Sequence, residues 1–100
     1  MVSPVGTVRT PEDLIDLLKS GYWVEAKSLG ESKGFHYTAV VKMRGSLHRR
    51  RKVLKDAVQK LIGSGVLILD NEGSREGEIW EIYRYTGKAY RPNRPLVSVL

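Results

Sequence analysis

Residues 46–64 read SLHRRRKVLKDAVQKLIGS, and the way this stretch folds decides the architecture of the chain. Four successive cations, Arg49, Arg50, Arg51 and Lys52, precede a run in which Leu54, Ala57, Val58, Leu61 and Ile62 recur at helical spacing. Together with Leu47 these apolar residues fall on one face of a 3.6-residue repeat. Ser46, just after Gly45, suits an N-cap, and Gly63-Ser64-Gly65 supplies the stop. The pattern predicts a single helix opening at Ser46. On a wheel centred on Leu54, the arc opposite the buried face holds His48, Arg49, Lys52, Lys55, Asp56, Gln59 and Lys60. Arg50 and Arg51 fall instead beside Leu47 and Leu54, where such side chains must project past the core or snorkel around it.

The charge around this stretch is concentrated. Residues 42–60 hold eight Lys/Arg (Lys42, Arg44, Arg49, Arg50, Arg51, Lys52, Lys55, Lys60) against Asp56 alone, in a chain whose total net charge is only +6. Residues 1–41 and 61–86 are each net acidic, and Lys88, Arg91 and Arg94 make the tail basic again. A solvated helix face normally intersperses acids at i±4, whereas a polyanion-binding element clusters its cations. The clustering therefore points to nucleic-acid contact.

One hundred residues accommodate one domain with one modest core. No apolar run reaches the roughly 18–20 residues of a membrane span. MVSPVGTVRT lacks the basic-then-apolar layout of a signal peptide, and the absence of cysteine excludes disulfides, thiol nucleophiles and thiolate metal sites. A cytoplasmic protein is expected. Asn71, Asn93 and Gln59 are the only side-chain amides, a bias that accompanies thermophile proteins.

Elsewhere, TPEDLIDLLKSG carries both ends of a helix. Thr10 caps, Pro11 suits the first helical position, and Glu12 and Asp13 complement the dipole. Leu14, Ile15, Leu17 and Leu18 form the stripe and Gly21 follows. Tyr22-Trp23-Val24 is a short β-prone patch. EAKSLGESKG places Ala26 and Leu29 three apart before Gly34, which suits a short second helix. FHYTAVVKMRG, residues 35–45, fits a strand, a helix capped by Thr38 or an enlarged turn. VLILD and EIWEIYRYT are β-rich runs around the polar loop NEGSREG, which predicts a hairpin with a seven-residue tip at 71–77. From Gly87 the chain is basic and carries two prolines, an extended tail.

Helix, short strand, short helix, longer helix and hairpin follow in the order of a winged helix. LLKSGYWVEAKSLGESKG resembles the first-helix end, short strand and second helix of winged helix-turn-helix transcription regulators, with Val24, Ala26 and Leu29 at matching places. VLKDAVQKLIGSGVLIL resembles the ending of their third helix through Val58, Leu61 and Gly65, and EIWEIYRYT resembles their last wing strand. The resemblance covers residues 10–86 and implies an α+β domain with a three-helix core and a C-terminal hairpin wing, followed by a tail at 87–100. It departs from the family where FHYTAVVKMRG separates the second and third helices. It also implies double-stranded DNA as ligand and a homodimer, toward which the apolar tail end at 95–100 (PLVSVL) would contribute.

On that reading Arg49, Lys52 and Lys55 contact phosphates, with Lys42, Arg44 and His48 on the same basic surface. Gln59 and Arg49 are able to read adenine and guanine. For Arg50 and Arg51, a phosphate clamp at the helix N-terminus competes with ion pairs to acids such as Glu25 or Glu31. In the hairpin tip, Arg75 offers a backbone contact diluted by Glu72 and Glu76. Trp23, Trp80, Tyr22, Tyr83 and Tyr85 read as sheet packing, while Phe35, His36 and Tyr37 are better placed to touch single-stranded RNA. An RNA-binding module and a protein adaptor are the rival readings. His36 and His48 have no companions at metal-ligand spacing, GESKGF lacks the P-loop pattern, and no catalytic constellation is present. No metal, cofactor or enzymatic activity is expected.

Overall fold

The computed structural model describes residues 6–28, 34–45 and 47–91. Its order is α1 (Pro11–Lys19), β1 (Trp23–Ser28), β2 (Phe35–Lys42), β3 (His48–Val53), α2 (Lys55–Gly63), β4 (Leu67–Arg75) and β5 (Glu78–Tyr85). The strands form one antiparallel sheet in the order β3-β2-β1-β5-β4. This is not a winged helix. A five-stranded sheet with two nine-residue helices replaces the expected three-helix core.

The opening stretch accounts for most of the difference. Its first half is strand β3 and only its second half is helical. A helix begun at Ser46 would press Arg50 and Arg51 toward the core. In a strand, alternation sends His48, Arg50 and Lys52 to one face and Arg49, Arg51 and Val53 to the other, so that Val53 alone is buried. Leu47, assigned to the helix stripe, is 69% exposed. The helix opens at Leu54, whose backbone is extended and whose side chain makes no cap bond. Ser46 lies outside the described residues.

The expected second helix is likewise absent over residues 23–28, where Val24 and Ala26 alternate inward through β1; Leu29 lies outside the described residues. Residues 35–42 resolve as strand β2. The hairpin is present but longer than expected, because β4 runs on to Arg75 and the turn is Glu76-Gly77, both with positive φ (52° and 85°). That is the backbone of a tight two-residue hairpin turn, whose twist matches the strands. β5 also pairs along β1, so the hairpin is built into the sheet and is no free wing.

α1 forms as its sequence dictates. Thr10 Oγ1 accepts the Asp13 amide at 3.1 Å, Pro11 opens the helix, and Leu14 and Leu18 are buried. Both helices cover one face of the sheet. There Val24, Ala26, Tyr37, Ala39, Val53 and Leu67 join Val8, Leu14, Leu18, Ala57, Val58, Leu61 and Val66 in one core. Alanines at 26, 39 and 57, all without exposure, keep side-chain volume low between helices and sheet. Ordered chain reaches beyond residues 10–86. Val8 exchanges backbone hydrogen bonds with β3 and the helix start (Val8 N–H to Lys52 O, Leu54 N–H to Val8 O, both 2.9 Å), and Tyr90 packs against the core. The apolar tail end at 95–100 lies outside the described residues. Among the described residues no helix is long and apolar enough to cross a membrane.

On the helix-covered face, Tyr83 donates to Glu81 Oε1 at 2.6 Å, and its phenol is pushed well above the ordinary value by burial, reinforced by that bond and the Glu81 charge. A raised folded-state value means that this stabilisation is complete below about pH 10, the unfolded value, and is lost as pH climbs above it. Alkaline thermal melts are therefore expected to fall more steeply for the parent than for Tyr83→Phe. The tyrosinate absorbance that distinguishes the two proteins should appear later than that of a free phenol.

Candidate functional site

Among the described residues the second face of the sheet carries no helix. Alternation and strand register place on it Trp23, Glu25 and Lys27 from β1, His36, Thr38, Val40 and Lys42 from β2, and His48, Arg50 and Lys52 from β3. β5 adds Glu78, Trp80, Ile82 and Arg84, and β4 adds Ile68, Asn71, Gly73 and Arg75. Six Lys/Arg thus share this face with two glutamates and with Asp70, whose carboxylate meets Arg84 Nε at 3.4 Å beside the β4 irregularity. The ordinary antiparallel pattern of one dry and one wet face explains the polar character, and the excess of cations is specific to this sheet.

Two aromatic features are built into the face. In the first, Val40 is completely buried although it lies on the face away from α1 and α2. Trp23 and Arg50 flank it across the ladder, and Arg50 Nη1 reaches over β2 to Glu25 Oε1 at 3.0 Å. Glu25 Oε2 accepts Trp23 Nε1–H at 3.0 Å, and the His48 ring stands edge-on to Trp23 with centroids 6.0 Å apart. The ion pair is partly solvated and contributes little alone; with the Trp23 bond it ties the indole and Arg50 to one carboxylate.

The second feature is Trp80, whose benzo ring lies directly over Gly73, where any Cβ would overlap the indole. Beside it is an open depression of about 370 Å³ between β1 and β5. The paired Ala26 and Glu81 form its floor. Glu25 with Ile82 and Lys27 with Trp80 form its sides, and Arg75 and Glu78 close the end nearest the hairpin turn.

The residues marked out by the sequence distribute as follows. Lys42, His48, Arg50, Lys52 and Arg75 share the open face, and Arg44 lies exposed in the β2–β3 connection. Arg49 and Arg51 point to the helix side. Arg49 is exposed, whereas Arg51 is half-buried, donates through Nη2 to the Gly6 carbonyl at 3.3 Å and has a buried Nε without a partner. Lys55 and Gln59 lie on α2, where Gln59 Nε2 donates to the Tyr37 hydroxyl at 3.0 Å. Arg50 takes Glu25, one of the two acids anticipated for it; Glu31 lies outside the described residues.

Of the aromatic trio at 35–37, Tyr37 is buried in the core, Phe35 packs against it and only His36 is exposed on the open face. Sequence reasoning passed over Trp23, Trp80, Lys27 and Arg84 as parts of this surface. Strict i, i+2 spacing was the available signal, with Trp23, Glu25 and Lys27 in one run and Glu78, Trp80, Ile82 and Arg84 in another.

Among the described residues twelve Lys/Arg have no carboxylate within ion-pair distance, and four of them, Lys27, Lys42, Lys52 and Arg75, share the open face. Lys60, by contrast, bonds Asp56 one turn away at 3.2 Å, and that hydrogen bond and charge raise its ammonium above the ordinary value. Among the described residues no three His, Asp or Glu side chains gather as metal ligands. Comparison with protein-family models, curated proteins and solved structures finds no match to this chain.

Proposed function

We propose that this protein binds nucleic acid through the open face of its sheet. The observation that carries the reading is the set of cations Lys27, Lys42, Lys52 and Arg75, unpaired among the described residues, on the face away from α1 and α2 and interleaved with Trp23 and Trp80. Unpaired lysines and arginines exchange bulk counterions for phosphates, and the entropy of counterion release supplies the affinity. Aromatic rings between them offer π-faces for bases. The route through a basic helix in a major groove falls with that helix, because the cationic run is an edge strand.

The test is fluorescence anisotropy of labelled single-stranded RNA and duplex DNA over a salt series. Engagement of four phosphates on a single strand predicts a log–log slope of about −3, or roughly 50-fold weaker binding at 200 mM than at 50 mM salt. Absence of binding to both polymers at 50 mM, or binding indifferent to salt, would remove the proposal and favour a protein partner.

A further inference from the structure

The geometry points to the depression beside Trp80 as a subsite for one unpaired base, with guanine preferred. The inference rests on the reading that the open face meets nucleic acid, and it names what that face selects. The depression has the volume of a small-ligand pocket at the low end of the usual range, enough for a base and far short of a duplex. Trp80 cannot sink further, because its ring already lies on the backbone of Gly73. It therefore presents a fixed aromatic wall of the kind on which bases stack. A base inside a duplex is already stacked on both sides and cannot enter, so the subsite discriminates by strandedness.

Charge divides the work within the depression. Lys27 and Arg75 flank it without ion partners, placed for the phosphates on either side of an inserted base. Of the two open-face glutamates that line it, Glu25 already holds Trp23 and Arg50. Glu78 has no hydrogen-bond or ion partner among the described residues. A free carboxylate beside phosphates repels them, and this is offset only when the base supplies donors. Guanine presents two adjacent N–H donors on its Watson–Crick edge, matching the two carboxylate oxygens in a charge-assisted pair. Uracil presents carbonyl oxygens on both sides of a single N–H and meets the same carboxylate unfavourably.

The experiment compares three labelled probes on the full chain at low salt: octauridylate, the same oligomer with one central guanosine, and that oligomer annealed to its complement. The guanosine-containing strand is expected to bind about tenfold tighter than octauridylate, in line with one charge-assisted contact, and tighter than the duplex. Trp80→Ala should weaken it about tenfold and Trp80→Phe much less, since a smaller ring still stacks. Glu78→Gln should reduce the guanosine preference while leaving octauridylate binding equal or stronger.

Far-UV circular dichroism checks each variant, and should Trp80→Ala not fold, Trp80→Phe and Glu78→Gln carry the test. Equal affinity of the parent for the two single strands overturns the subsite, as does a guanosine preference unchanged by Glu78→Gln. If all three probes bind alike, and binding is lost on charge reversal at Lys42 and Lys52, the subsite is wrong and the nucleic-acid face stands. If none of the probes binds, the proposed function fails with it.

Discussion

Replacing Leu61 by alanine is expected to destabilise the protein by about 3 kcal/mol, inside the range for buried leucine truncations. Leu61 has no solvent exposure and joins the core from α2. That helix is nine residues long, begins at Leu54 without a side-chain cap bond, and has one helical ion pair, Lys60 with Asp56. An isolated helix of this length is unstable in water, so its order derives from the face that Ala57, Val58 and Leu61 bury.

Removing the largest of these side chains leaves a cavity between helix and sheet in a domain whose total stability is about 5–15 kcal/mol. The corresponding fall in melting temperature is on the order of 15 °C. Urea unfolding measures the loss directly. Leu54→Ala is the internal comparison, because Leu54 is 42% exposed and its truncation should cost under about 1 kcal/mol. Similar losses for the two variants would mean that α2 is not docked through Leu61.

The second large effect concerns binding. Reversing Lys42 and Lys52 together, as Lys42→Glu with Lys52→Glu, should lower nucleic-acid affinity on the order of 100-fold at 0.1 M salt. Loss of two phosphate contacts alone accounts for most of it through counterion release. Both lysines are exposed, unpaired and on the open face, so the fold should tolerate the change. The comparison is Arg49→Glu with Lys55→Glu, an equal change of charge in the same basic stretch but on the helix side of β3 and on α2. A smaller loss for the second pair distinguishes the open face from a merely cationic segment. Equal losses would show that the ligand follows total charge and no particular surface.

The two architectures use the same residues in different geometry, and the sequence held a sign of which was correct. In a helix from Ser46, Arg50 and Arg51 fell on the apolar side, a local conflict that the strand removes for Arg50, while Arg51 stays half-buried on the helix side. Arg50 then lies on the open face and reaches diagonally across β2 to Glu25, and Val53 is the buried residue of the strand on the core side. The conflict was legible, but periodicity could not resolve it. HRRRK is polar at every position, so an alternating pattern leaves no mark in it. FHYTAVVKM was ambiguous for the opposite reason, because Val40, between Trp23 and Arg50 in the ladder, is apolar and buried on the open face and blurs the alternation of β2. The hairpin tip was overestimated because NEGSREG contains turn-forming residues throughout. Only its end turns, and Gly73 stays in the strand as the seat of Trp80.

By itself the sequence determined the features that depend on neighbours a few residues apart. These are α1 with its Thr10 cap and Leu14–Leu18 stripe, the apolar face of α2, the existence of the last hairpin, and the concentration of cations in 42–60. Tertiary structure decided whether that cationic run is helix or strand, and which residues it stands beside. The backbone of strand β3 pairs with β2 and, briefly, with Val8, and these pairings are set by sheet register. The open face is assembled in the same way. Trp23, Arg50 and Trp80 are 27 to 57 positions apart along the chain, and they meet on one surface because β5 inserts beside β1 and turns alternate side chains to the same side.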